Sequence, residues 1–173
     1  NFGDSAAYAR VIELANGWNT DSIVVARDGS SSGLSITIGF GTGSSYVVAP
    51  NVIQNDTWMH VAVTLSSVVA GTGQATIYIN GQVRATNSIV APTNVSRRLC
   101  YLGKSTASWD PLFKGRMAEV RVWRVVRTAA EINRYKDARL SGSENGLVAY
   151  YRLNESDGER AGDASRNRLH AWL

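Results

Sequence analysis

The 173-residue chain has one cysteine, three prolines and two histidines. Cys100 alone cannot close an internal disulfide, so packing and hydrogen bonds must hold the fold. In "RRLCYLGKS" it is expected to be a buried, inert thiol in a strand, because cysteine packs as a small hydrophobe. His60 and His170 are the only imidazoles, and nothing local pairs either one with Cys100. No apolar run reaches the roughly 18–20 residues of a membrane-spanning helix. There is no H-E-x-x-H, no Ser/His/Asp arrangement and no phosphate-binding glycine loop, since the glycine-rich "GFGTGSS" joins two strand-like runs. Charged residues make up only 18% of the chain against 44% hydrophobic, a globular balance rather than a disordered one.

Basic residues are almost absent from one half. Residues 1–83 contain Arg10 and Arg27 against five acids, whereas residues 84–173 contain sixteen basic residues against nine acidic ones. A basic half attracts anionic partners such as sulfated glycans or nucleic acid, although a solvated surface needs no partner. Arg97-Arg98 is the only adjacent basic pair, and no basic run is interleaved with aromatics, so nucleic acid has little support as a partner. The chain begins with Asn1 rather than Met, as expected of a processed product or a piece of a longer protein. "NDT", "NVS" and "NES" match the glycosylation sequon, a pattern common by chance.

What is present is alternation. "LSITIGF" (34–40) switches apolar and polar residues with period two, which marks a half-buried strand. In "WMHVAVTLSS", Met59, Val61, Val63 and Leu65 share one face, and His60, Ala62 and Thr64 share the other. Asn80-Gly81, between β-rich runs, predicts a two-residue hairpin, because a type I′ turn needs positive φ at both central residues. Further strands are expected in 8–15, 22–27, 46–50, 98–104, 115–124 and 146–154, with a short one in "LHAWL". "TAAE", in which Thr128 precedes Glu131 by three residues, is a capping box. It predicts one helix near residues 129–140, stopped at Gly142. Eight to eleven strands punctuated every 8–12 residues imply an all-β antiparallel two-sheet sandwich or jelly roll, in one domain over residues 1–173.

Five blocks carry a resemblance. "DTWMHVAVTLSS", "ATIYINGQVRAT", "LCYLGKST", "FKGRMAEVRVWRVVRTAAEI" and "GLVAYYRLNESDGERAGDASRN" resemble, in this order, laminin-G-like jelly-roll domains of the concanavalin A-like lectin/glucanase superfamily. Such domains usually open with a strand like "GLVAYYRLNE" and a second like "FTIEAWV". Here the first type stands at the C-terminus, which implies either a crop of a larger chain or a permuted sandwich. Laminarinase-type relatives carry E-x-D-x-x-E, whose paired carboxylates act as nucleophile and general acid. This chain lacks that triplet; Glu119 is the only acid on its strand, and one carboxylate cannot run the mechanism.

The expectation is therefore a non-catalytic, secreted or cell-surface module that recognises a glycan or glycoprotein through loops at the sandwich rim. Two loops combine an aromatic platform with groups that bond hydroxyls: Trp18, Asn19 and Asp21 in "NGWNTDS", and Trp109 and Asp110 in "STASWDPLF". The resemblance implies calcium as a candidate cofactor, held by Asn19, Asp21 and Asp110, or alternatively by Asp157, Asp163 and Asn167 in "DGERAGDASRN". Three rivals stand beside this reading. They are an adhesion or structural module beside neighbouring domains of a parent protein, a divergent glycosidase or lyase, and a binder of anionic glycans using Arg97, Arg98, Arg116, Arg121 and Arg124.

Overall fold

The computed structural model describes residues 1–3 and 6–172. Its elements are β1 (Arg10–Ala15), β2 (Ser22–Arg27), β3 (Leu34–Gly39), β4 (Ser44–Ala49), β5 (Val61–Val69), β6 (Thr72–Ile79), β7 (Gln82–Val90), β8 (Leu99–Leu102), β9 (Val120–Trp123), α1 (Ala129–Tyr135), β10 (Leu147–Tyr151), β11 (Arg160–Ala161) and β12 (Ala171–Trp172). The chain divides into two compact units, residues 1–115 and 116–173.

The first unit is a two-sheet sandwich. One antiparallel sheet has the order β4-β3-β2-β1-β8, and the other is the meander β5-β6-β7. Alternation decides what lies between them. Val25, Leu34, Ile36, Ile38, Val47 and Ala49 from the first sheet meet Ala75, Ile77, Ile79 and Ile89 from the second. Met59, Val61, Val63 and Leu65 pack against this core as one face. Two-residue turns join the meander. Asn80 and Gly81 both have positive φ (53° and 80°), as the hairpin reading requires. Ala70-Gly71 forms the other turn, with φ of 49° and 77°. Left-handed backbone is unfavourable for alanine because its Cβ crowds the carbonyl. Ala70→Gly is therefore expected to stabilise the protein by about 0.5–1 kcal/mol in urea unfolding; a loss of stability would show that the strain at Ala70 is negligible.

Two local readings change. Cys100 is exposed rather than buried. It continues the row Ile38, Ile23 and Leu14 across the sheet, but β8 is the last strand, where that row runs out of the core. The helix ends at Tyr135, not near residue 140. The capping box forms as read, with Glu131 N–H donating to Thr128 Oγ1 (3.2 Å) and Thr128 N–H to Glu131 Oε2 (2.8 Å). Beyond the helix's end the Ala138 N–H donates to Tyr135 O (3.2 Å), and Arg121, on β9, donates to the carbonyls of Tyr135 and Ala138.

In the second unit β9 pairs with β10, and β11 with β12. Its core is Leu140, Leu147 and Tyr150, with Trp123, Tyr135 and Ala164 packed against them. Tyr150 is fully buried, and its hydroxyl donates to Glu119 Oε2. Arg121 also binds Glu119, at 2.9 Å. No described helix is long and apolar enough to cross a membrane.

Candidate functional site: an aromatic rim in the first unit

The segment 103–113 is an Ω-type loop. Phe113 N–H donates to Gly103 O (2.8 Å), so its two ends meet, and Gly103 N–H donates to Val11 O (3.1 Å). The Phe113 ring meets Phe2 edge-on, with centroids 5.0 Å apart. A charged network ties the loop to β1. The pairing of β1 with β2 slips between Arg10 and Ile12, a bulge that lets Arg10 and Glu13 share a face. Arg10 Nε then donates to Glu13 Oε2 (3.2 Å) and Nη2 to Asp110 Oδ2 (2.8 Å). Thr106 Oγ1 donates to Glu13 Oε1, and Ser105 Oγ to Asp110 Oδ2 (2.9 Å). Glu13 is only 2% exposed, yet both of its carboxylate oxygens are satisfied.

The network sets the position of Trp109. The turn 107–110 closes with Asp110 N–H on Ala107 O (3.2 Å) and carries Trp109 near its tip. The β1–β2 connection is built alike. Thr20 N–H donates to Gly17 O (3.1 Å), and Asn19 takes φ of 54°, a region that asparagine tolerates. Trp18 stands at that tip. The two indoles meet edge to face, with centroids 5.7 Å apart and planes at 63°. Both stay open to solvent, Trp18 at 58% and Trp109 at 70% exposure. The two loops singled out in the sequence are thus brought together through their tryptophans.

Their polar residues are brought to separate places. Asn19 Nδ2 donates to Gly43 O (3.1 Å) and Gly41 O (3.4 Å), stapling the β3–β4 turn. Gly39 makes room for it, since a Cβ there would stand 2.2 Å from Asn19 Oδ1. Asp21 accepts from Thr93 Oγ1 (2.8 Å) and Asn16 Nδ2 (3.2 Å), and its carbonyl accepts from Arg97 Nε (2.6 Å). The Thr93 hydroxyl, then the Asn16 amide, hold the Asp21 carboxyl below its usual range. Asp110 faces Arg10 and Ser105.

In the second unit Asp163 is 5% exposed and accepts from Tyr150 N–H (2.8 Å), Ser165 N–H (2.7 Å), Ser165 Oγ (2.8 Å) and Leu169 N–H (2.8 Å). Burial pushes its carboxyl up, but these bonds outweigh burial and hold it below its usual range. Asn167 Nδ2 donates to Val148 O (2.7 Å). Asp157 lies in an exposed turn.

Calcium takes six to eight oxygens. Among the described residues no three His, Cys, Asp or Glu side chains stand together as a metal set. Asp163 already fills its lone pairs, and Asp110 already faces a cation, so neither donor set fits calcium as folded. The basic set named for anionic glycans is partly committed as well. Arg97 binds Asp21 O and Thr93 O, and Arg121 binds Glu119 and the end of α1.

Arg10, Glu13, Ser105 and Thr106 were missed in the sequence. Their signal is faint, namely two charges inside the otherwise apolar "YARVIELA".

The chain aligns over 99% of its length, at 22% identity and a TM-score of 0.67, with the crystal structure of a candidate carbohydrate-binding protein from Bacteroides ovatus. It spans 48% of that protein, about half its length. An S-layer domain-containing protein from Clostridium thermocellum aligns with 78% of the chain and over 65% of its own length, at 20% identity and a TM-score of 0.36. No curated protein sequence matches. The sequence pattern of the concanavalin A-like lectin/glucanases superfamily matches residues 3–133, which takes in the whole sandwich. By that match and by the sandwich beneath it, the chain belongs to the concanavalin A-like lectin/glucanases superfamily.

Proposed function

We propose that this chain is a non-catalytic carbohydrate-binding module that holds a glycan against Trp18 and Trp109. The observation that carries the reading is the pair itself: two large aromatic rings, on separate loops, in contact with each other and open to solvent. Ring faces suit the apolar C–H face of a sugar, and the indole N–H groups can bond hydroxyls. The Arg10–Glu13–Asp110 network keeps the platform rigid, which lowers the ordering cost of binding. The likeness to the Bacteroides ovatus protein supports the fold on which this reading rests. Glu13 and Glu119 are each held by an arginine and a hydroxyl, which supports a non-catalytic reading. We place the module at the cell surface or outside the cell, where glycans and glycoproteins are the partners within reach.

The test is a glycan-array screen followed by titration calorimetry on the best ligand, in calcium and again in chelator. Trp109→Ala is expected to weaken binding about 10- to 100-fold, equivalent to about 1.4–2.8 kcal/mol, as an exposed aromatic anchor does. Trp18→Ala should act in the same direction. Affinity should be equal with calcium and with chelator, because the nearby carboxylates already bind protein donors. A folded protein that binds no glycan would remove the lectin reading and leave a protein-binding surface.

A further inference from the structure

The second unit contains a cleft that the aromatic rim does not use. Its volume is about 630 Å³, within the range of small-ligand sites. Arg160, Arg166, Arg168 and His170 line it together with Ser141 and Ser143. Among the described residues, none of the three guanidinium groups has a hydrogen-bond or ion-pair partner. Three of the acids nearby are already engaged, while Glu159, next to Arg160 in sequence, is exposed. Asp163 accepts its four internal bonds, Glu144 accepts from Ser141 N–H (2.7 Å) and Gly142 N–H (2.9 Å), and Glu155 accepts from Gly162 N–H (2.8 Å).

The cleft is also built, not just lined. Buried Asp163 gathers the backbone of 163–169, and His170 N–H donates to Arg168 O (2.9 Å). Arg168 is held at φ of 53°, an uncommon conformation for so bulky a residue. His170 Nδ1 accepts from Asp163 N–H (3.1 Å), which leaves its Nε2 as a donor. Asp163 thus folds one short loop so that two of the three arginines and an imidazole come to one cleft.

We infer that this cleft binds the anionic groups of an acidic saccharide, with Arg160, Arg166 and Arg168 as the oxyanion partners. Planar guanidinium forks match sulfate and carboxylate oxygens, and such charge-assisted bonds are the stronger kind. The anion preference stands on the cleft alone; the saccharide part rests on the glycan reading proposed above.

Three probes test it by titration calorimetry and by side-chain NMR of the arginine Nε–H groups and His170: inorganic sulfate, a sulfated hexasaccharide and its desulfated form. Sulfate should shift the signals of Arg166, Arg168 and His170. The sulfated hexasaccharide should bind, with affinity that falls as salt rises, and at least tenfold more tightly than the desulfated form. Arg166→Gln and Arg168→Gln, at exposed positions, should each weaken it about tenfold, while Arg84→Gln, at an exposed position on β7, leaves it unchanged. Equal affinity for the sulfated and desulfated forms, or no effect of either arginine substitution, would overturn the cleft assignment. Loss of binding in Trp109→Ala alone would place the sulfated ligand on the aromatic rim, overturning the cleft while keeping the glycan reading. Sulfate shifts without hexasaccharide affinity would overturn the saccharide assignment.

Discussion

Replacing Arg10 by alanine is expected to destabilise the first unit by about 3–5 kcal/mol, the usual result of removing one partner from a buried charged network. Arg10 serves three acceptors at once: Tyr8 O (2.7 Å), Glu13 and Asp110. Its side chain is 14% exposed, and those of Glu13 and Asp110 are 2% and 13% exposed, so the carboxylates left behind would have little water to turn to. Arg10→Lys should recover only part of the loss, because an ammonium on a single point cannot fork to two carboxylates. Urea unfolding followed by tryptophan fluorescence reads both the stability and the release of the Trp18–Trp109 contact. A loss below about 1 kcal/mol would mean that the network behaves like an exposed salt bridge. The same variant should lose glycan affinity even where it remains folded, since the loop carrying Trp109 loses its anchor.

The second large effect centres on Asp163. Asp163→Ala would strip the acceptor from the backbone N–H groups of Tyr150, Ser165 and Leu169 and from the Ser165 hydroxyl. Each stranded buried donor costs about 1–3 kcal/mol, and with partial relaxation the total should come to about 3–5 kcal/mol. The acid also sets a pH dependence. Burial raises its pKa, but the bonds from Ser165 and Tyr150 outweigh burial, so the folded value lies below the unfolded one. The stabilisation is therefore complete above the unfolded pKa, about 3.9 for aspartate, and is lost as pH falls through the lower folded value. Thermal melts from pH 6 down to pH 2 should show this acid loss in the wild type, and Asp163→Asn should flatten it. A wild-type melt in which the second unit keeps its stability down to pH 2 would refute the linkage.

Much of the scaffold was legible in the sequence because it rests on local chemistry. Period-two alternation in residues 34–40 and 59–65 names the core face directly, since a pleated strand leaves no other choice. Asn80-Gly81 names its turn because the positive φ it needs is costly for most residues. The capping box at Thr128 names the helix start for the same local reason. The two tryptophan loops were visible as composition, an aromatic beside an Asx residue in each.

The rest depended on partners distant in sequence. The end of α1 meets Arg121 on another element, which takes the carbonyls of Tyr135 and Ala138, a contact that no local pattern announces. Whether Cys100 is buried was decided by the place of β8 at a sheet edge, and strand order is not written in the strand. "DGERAGDASRNR" reads as a polar turn-rich segment, but folding turns its Asp163 inward and its arginines toward one cleft. Trp18 and Trp109 are 91 positions apart, and only the Ω loop, tied down by Arg10 and Glu13, makes them neighbours. By itself the sequence determined most strands of the first unit, the core faces in residues 34–40 and 59–65, and the family, because backbone sterics and hydrophobic burial act residue by residue. Only the tertiary structure decided which aromatic rings meet and which carboxylates are taken, because hydrogen bonds and ion pairs form between whichever groups the fold brings within reach.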